Sequence, residues 1–307
     1  MSSRNGASKR VQPEVVAAYR GHRAAVEKIF WSPTGESIIS CDVMGVVHTW
    51  DVQSGVMRAS YAYSQAAARD IALSFDGRAL AVCDDDGVVR VWDVSTGKQL
   101  AAYTGHQEAP LSVSWSPDGA QLVSAQRNAA HIWCPWEQAR LSRVLSLDEE
   151  GDPYFAQALW SAGGERIYTS VRDIVGVWRA DSGVRERSWK ARGDVMLVAW
   201  SPDDSLLALS GDDGVVRVVD VWGEERIAYR GHTDIVWALA FSPDGKRIAS
   251  GGCDTTVQVW DEASGKTLCS FREHSGWVNG LAWSPDGTCV ASGDDERVVL
   301  VWAVEAA

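Results

Sequence analysis

A serine, a histidine and an aspartate stand close together in this chain at Ser250, His232 and Asp254, with Trp260 just beyond them. These are the side chains of acyl transfer: a hydroxyl nucleophile, an imidazole that takes its proton and a carboxylate that orients the imidazole. Partial copies of the set occur at His22, Ser40 and Trp50, at His106, Ser124 and Trp133, and at His274, Ser292 and Trp302. A hydrolase needs one nucleophile open to substrate, whereas a set that recurs along the chain serves something that itself recurs. Buried polar groups cost little only where each finds a partner, so the expectation is a closed hydrogen-bond network in the scaffold, with no catalytic residue.

Other residues with chemical potential are more isolated. The runs Asp84-Asp85-Asp86 and Asp212-Asp213 lack the ligand spacing of a calcium loop and read as turns with a solvated face. His48 and His131 have no second histidine or cysteine at metal spacing and read as residues on a strand face. The six cysteines are scattered without a C-x-x-C pair, which fits small buried side chains in a reducing compartment. No phosphate-cradling glycine loop and no nucleophile elbow occurs, so no cofactor and no metal is expected.

Composition narrows the partners. A formal charge of -12 repels nucleic acid and anionic membrane alike. No window carries the roughly 18 unbroken apolar residues of a membrane helix. The opening MSSRNGASKR has positive charge but no apolar run behind it, unlike a secretory signal, and a cytoplasmic location is expected.

The elements that must position the recurring residues are short. The stretch from Gly231 to Lys266 has a Gly-His pair, an apolar run closed by Phe241, the turn Ser242-Pro243-Asp244-Gly245, a second run ending at Ser250 and a third from Thr256 to Trp260. The runs alternate or are β-branched, which is strand chemistry, and proline at the second position with glycine at the fourth suits a tight reversal. Copies aligned on the end of the third run fall at Trp50, Trp92, Trp133, Trp178, Val219, Trp260 and Trp302, 41 to 45 residues apart. Seven repeats with a period in the low forties, Gly-His upstream and Trp-Asp downstream, match a propeller of four-stranded blades.

From about Pro13 onward the chain resembles the WD-repeat β-propeller family. The resemblance implies an all-β, seven-bladed propeller of four-stranded antiparallel blades. It also implies that His232, Ser250, Asp254 and Trp260 form a buried chain of hydrogen bonds fastening the loop that leads into a blade. Repeats one and seven have Met44 and Glu296 where the aspartate would stand, so incomplete networks are expected there. Repeats two, four and five lack the leading histidine, and repeat five has Val219 in place of tryptophan.

Residues 1–12 read as a flexible tail and 13–307 as one propeller. The segment Glu14 to Tyr19 resembles the outer strands of other repeats, whereas the seventh repeat stops after its third strand. Pairing the two closes the ring, as in members of the family that this chain resembles.

What remains is recognition. Related propellers use the loops leading into each blade and the first residues of the innermost strands. At those positions this chain offers Tyr154, Met196, Ile235, Trp237 and Trp277 from neighbouring repeats. Large aromatic residues at variable exposed positions make interface hot spots. Alternatively, Trp237 and Met196 fill space between inner strands. The expected function is a non-catalytic scaffold, a single propeller within a larger assembly, that binds a protein or peptide on this face. The alternative is a propeller enzyme of hydrolase or lactonase type with its site at the central opening, for which the inner-strand positions of the seven repeats supply the carboxylates of Glu27 and Asp194.

Overall fold

The computed structural model describes residues 14–63, 68–147 and 156–304. The tail 1–12, Tyr154 and most of the stretch 146–153, which carries Asp148, Glu149, Glu150 and Asp152, lie outside the described residues. The described residues form seven four-stranded antiparallel sheets. Six are built from consecutive strands. The seventh takes its three inner strands from the end of the chain and its outer strand from the beginning: Val15–Tyr19 runs antiparallel to Val299–Ala303, with Val15 opposite Trp302 and Tyr19 opposite Val299. The Ala303 N–H donates to Glu14 O at 3.0 Å, so the expected closure is present and neither end of the sheet ring is left bare.

Each sheet twists, and the apolar residues that its strands turn sideways meet those of the next sheet. The core therefore lies between blades. One cluster joins Val216, Val218 and Tyr229 of blade five to Val236, Ile248 and Trp260 of blade six; another joins Val299 and Val301 of blade seven to Val26, Ile38 and Trp50 of blade one. Aromatic rings from the outer strands strengthen these joints. Tyr19 stacks on Trp50, Tyr103 on Trp133 and Tyr229 on Trp260, each from one blade onto the next, with centroids 5.0, 4.8 and 4.4 Å apart.

The reversal between the first and second strands explains the recurring Ser-Pro-Asp-Gly. Gly245 takes φ 72°, a left-handed value that glycine adopts without strain. Ser242 Oγ accepts the Arg247 N–H at 3.0 Å and donates to Asp244 Oδ1 at 2.5 Å. These turns and those between third and outer strands lie at one end of every sheet, called here the turn face. The loops leading into the blades lie at the other end, the top face, with the turns between second and third strands.

Candidate functional site

Blade six holds the complete constellation. The Trp260 indole N–H donates to Ser250 Oγ at 3.2 Å, Ser250 Oγ lies 2.8 Å from His232 Nε2, and His232 Nδ1 lies 2.9 Å from Asp254 Oδ2. With its proton on Nδ1, the neutral imidazole donates to Asp254 and accepts from the serine hydroxyl, so every polar group in the chain has a partner. Asp254 also accepts the backbone N–H groups of Thr233 and Thr256, each at 3.1 Å, and so fixes both the leading loop and the second turn. Burial alone would raise the Asp254 carboxyl, but the hydrogen bond from His232, with the bonds from Thr256, outweighs it and holds the group at about 2. Ser250 is fully buried with its hydroxyl engaged on both sides, which suits a strut and not a nucleophile.

The other blades correct the expected pattern. The networks of blades one and seven are complete, because Met44 and Glu296 are not the relevant positions. Asp42 and Asp294, each two residues after the serine, meet His22 Nδ1 at 3.2 Å and His274 Nδ1 at 2.7 Å. From the end of the second strand the side chain reaches the same imidazole and still caps the next turn: Asp42 Oδ1 accepts the Met44 and Val46 N–H groups, each at 3.1 Å. Blade six has Gly252 at that point, so its aspartate comes from the turn. Blade three uses Gln126, whose Oε1 lies 3.1 Å from His106 Nδ1.

His48 and His131 belong to this architecture too. His48 Nδ1 accepts from the Tyr19 hydroxyl at 2.8 Å and the ring stacks on His22; His131 accepts from Tyr103 at 2.7 Å and stacks on His106. Burial, followed by the nearness of His22, lowers His48 to about 4; burial, followed by the nearness of His131, lowers His106 to about 4. Blade six puts Gln258 at the corresponding position, accepting from Tyr229. Blades two and five, without a leading histidine, place arginine there. Arg90 bonds Asp84 and Asp86, and Arg217 bonds Asp213, so the aspartate runs expected to be plain solvated turns supply anchors for these arginines. The aspartate two residues past the serine, or its equivalent Asp84, was the signal available in the sequence.

On the top face the recognition candidates separate. Trp277 is 52% exposed, its backbone held by two bonds with Asp295: its N–H donates to the carboxylate Oδ1 at 2.7 Å and its carbonyl accepts the Asp295 N–H at 3.1 Å. A Cβ on Gly276 would fall 1.8 Å from Asp295 Oδ1, so only glycine lets the loop lie this close. Ile235 and Trp237 are half-buried, and the Trp237 indole N–H points to Cys253 Sγ at 3.1 Å. Met196 is only 9% exposed and presents little surface there. Asp234 and Glu296 stand exposed beside the remaining patch. Three aromatics that the repeat alignment did not bring forward, Phe75, Trp136 and Trp222, are exposed on the turn face.

The family described as WD domain, G-beta repeat matches residues 183–220, 223–261 and 265–303, and the anaphase-promoting complex subunit 4 WD40 domain matches 57–118. Among curated proteins, the chain is 34% identical over 94 residues to a probable cytosolic iron-sulfur protein assembly protein Ciao1 of Culex quinquefasciatus, covering 29% of this chain and 26% of that one. It is 31% identical over 127 residues to cell division cycle 20.1, cofactor of APC complex, of Arabidopsis thaliana, covering 40% and 27%. It is 26% identical over 148 residues to the serine-threonine kinase receptor-associated protein of Rattus norvegicus, covering 48% and 41%. The matches thus span well under half of each relative's length.

Proposed function

Since this chain is a WD-repeat β-propeller, we propose that it acts as a non-catalytic scaffold, one propeller within a larger assembly, that binds a protein or peptide on its top face. The observation that carries the reading is Trp277, an aromatic side chain set out on a loop whose backbone is pinned and therefore costs little entropy to present. Ile235 and Trp237 border it and complete the proposed contact surface, with Tyr154 as a further candidate in the neighbouring repeat. The relatives named for an assembly protein and for a complex cofactor support partnership with proteins. The engagement of every Ser-His set in struts supports the non-catalytic part, and the scattered spacing of the six cysteines, without a C-x-x-C pair, supports a reducing, cytoplasmic location. Affinity capture from the native host with mass-spectrometric identification tests the reading. A recurrent stoichiometric protein partner is the expected result; turnover of a small ester by the purified protein, abolished by Ser250→Ala without loss of fold, contradicts it.

A further inference from the structure

The turn face is a ring of tight reversals between first and second strands, and at most joints the second residue of one reversal closes on the next blade. Pro33 Cδ lies 2.8 Å from where a Cβ on Gly77 would stand, and Pro117, Pro202, Pro243 and Pro285 meet Gly164, Gly245, Gly287 and Gly35 in the same way at 3.4 to 3.7 Å. Blade four has Ala162 in place of the proline. There Asp204 of blade five closes the joint instead, accepting the Ala162 and Gly163 N–H groups at 2.7 and 2.8 Å.

The joint of blades two and three uses neither device. Blade two reads Ser74-Phe75-Asp76-Gly77, and the Phe75 side chain, standing where the other reversals carry proline, is 75% exposed. Gly119 of blade three has the same left-handed backbone as its counterparts, with φ 68°, yet a Cβ there would meet nothing within 4 Å among the described residues. Beside it stands Trp136, also 52% exposed. Its ring stacks on Trp115, with centroids 5.9 Å apart, and its indole N–H donates to Gly119 O at 2.8 Å. One face of the indole is thus fixed against the blade and the other is left to solvent. The place that a proline ring fills at five other joints is open here, flanked by two exposed aromatic side chains.

The rim of this place is acidic. Asp118 accepts from Ser116 Oγ at 2.6 Å and from the Ala120 N–H at 3.0 Å, bonds that lower its carboxyl and keep it charged, and it has no cationic partner among the described residues. Asp76 is held in the same way by Ser74 Oγ and the Arg78 N–H, with the Arg78 side chain 3.9 Å away. The chain as a whole carries a formal charge of -12.

We propose that the turn-face joint of blades two and three is a docking site for a proline-containing, basic segment of a partner protein, whose proline ring takes the place on Gly119 that the chain's own prolines take on the other turn glycines. Extended proline segments present their rings in a preformed helix and dock on exposed aromatic side chains, here Trp136 and Phe75. Because Trp136 is already held by its stack and its hydrogen bond, little entropy is lost in offering it. A lysine or arginine next to the proline meets Asp118, which supplies the charge complementarity. The site is separate from the top-face patch, and neither depends on the other.

The test uses the full chain and the hexapeptide acetyl-Pro-Pro-Lys-Pro-Pro-Lys-amide as probe, beside one peptide with alanine for proline and one with glutamate for lysine. The readout is the indole N–H resonance of Trp136 in ¹⁵N-tryptophan-labelled protein, assigned by its loss in Trp136→Phe. A saturable shift with the proline-lysine peptide is expected, with affinity at least about tenfold above that of the alanine peptide and about threefold above that of the glutamate peptide at low salt. Phe75→Pro recreates the reversal that closes five other joints, so it should seal this one from within, abolish the shift and leave the melting temperature equal or higher. Should that variant fold poorly, Phe75→Ala keeps the joint open but removes one wall, and should weaken binding at least about fivefold. No saturable response at Trp136, equal binding of the alanine or the glutamate peptide, or an unchanged response in a folded Phe75→Pro or Phe75→Ala would each overturn the proposal.

Discussion

Blade six and blade four have the same strands and the same turns, yet they solve the problem of buried polarity differently. Blade six links Trp260, Ser250, His232 and Asp254 in one chain and braces it with Tyr229 and Gln258. Among the described residues, blade four keeps only the bond from the Trp178 indole to Thr169 Oγ1, at 2.8 Å. It has Gly176 where Gln258 stands, a void of about 10 Å³ beside Thr169 and Trp178, and the buried hydroxyls of Tyr168 and Ser170 lack partners among the described residues. A void of that size is at the lower limit for one water. The fold therefore does not require the network in every blade. Where present, the network fixes the loop leading into the blade, and that loop is where recognition is proposed.

The comparison breaks most readily at the ring closure, which both blades depend on. Deleting residues 1–20 removes Val15–Tyr19 and should lower the melting temperature sharply or leave the protein insoluble, while deleting residues 1–10 should leave it nearly unchanged. Equal melting temperatures for the two truncations would count against a structural role for the closing strand. Within blade six, Trp260→Ala should cost about 3–5 kcal/mol in chemical denaturation, because a fully buried aromatic is lost together with its stack on Tyr229. Asp254→Ala should cost about 1–3 kcal/mol by leaving His232 and two backbone donors unpaired. In blade four, Thr169→Val removes one neutral bond and should cost only about 1 kcal/mol. An equal cost for the Asp254 and Thr169 changes would erase the distinction between the two blades.

Acid sharpens the contrast at smaller amplitude. His48 and His106 titrate at about 4 in the folded chain, below the ordinary value of 6.5. Between those values the unfolded chain binds more protons than the folded one, so stability falls as pH drops from about 6.5 through about 4. Asp254 has the opposite chemistry and the same sign. Its depressed value contributes stability that is present above the ordinary 3.8 and lost as pH falls through about 2. Blades one and three should therefore lose protection before blade six in pH-dependent hydrogen exchange. His48→Gln, which copies the Gln258 solution, should flatten the decline in melting temperature between pH 6.5 and 4; an unchanged slope would contradict the assignment.

The period of the repeats, the turns and the closing strand were all legible, because each is written in local residue types that the backbone geometry demands. The polar struts were only half legible. The His-Ser-Trp spacing is fixed by strand register and reads directly, but a carboxylate can reach the same imidazole from the end of a strand, as Asp42 and Asp294 do, or from the next turn, as Asp254 does. Aligning on one of these placements hides the other. The substitution of Arg90 and Arg217 for the imidazole was hidden for a related reason, since it keeps the polar contact while changing the residue type. On the top face, sequence position identified the candidate surface but not depth: Met196 and Trp277 occupy lead-in positions of neighbouring kinds, and packing alone makes one buried and the other exposed.

The most direct test of the scaffold reading is a titration of the captured partner against single substitutions on the two faces of the folded propeller. Trp277→Ala should weaken binding by more than about 2 kcal/mol, roughly thirtyfold, without lowering the melting temperature, and Ile235→Ala should weaken it to a lesser degree. Lys98→Ala and Lys266→Ala, in turns between third and outer strands, should bind as the native chain does. Normal binding by Trp277→Ala together with loss of binding in the turn variants would contradict the account and move the partner to the opposite face.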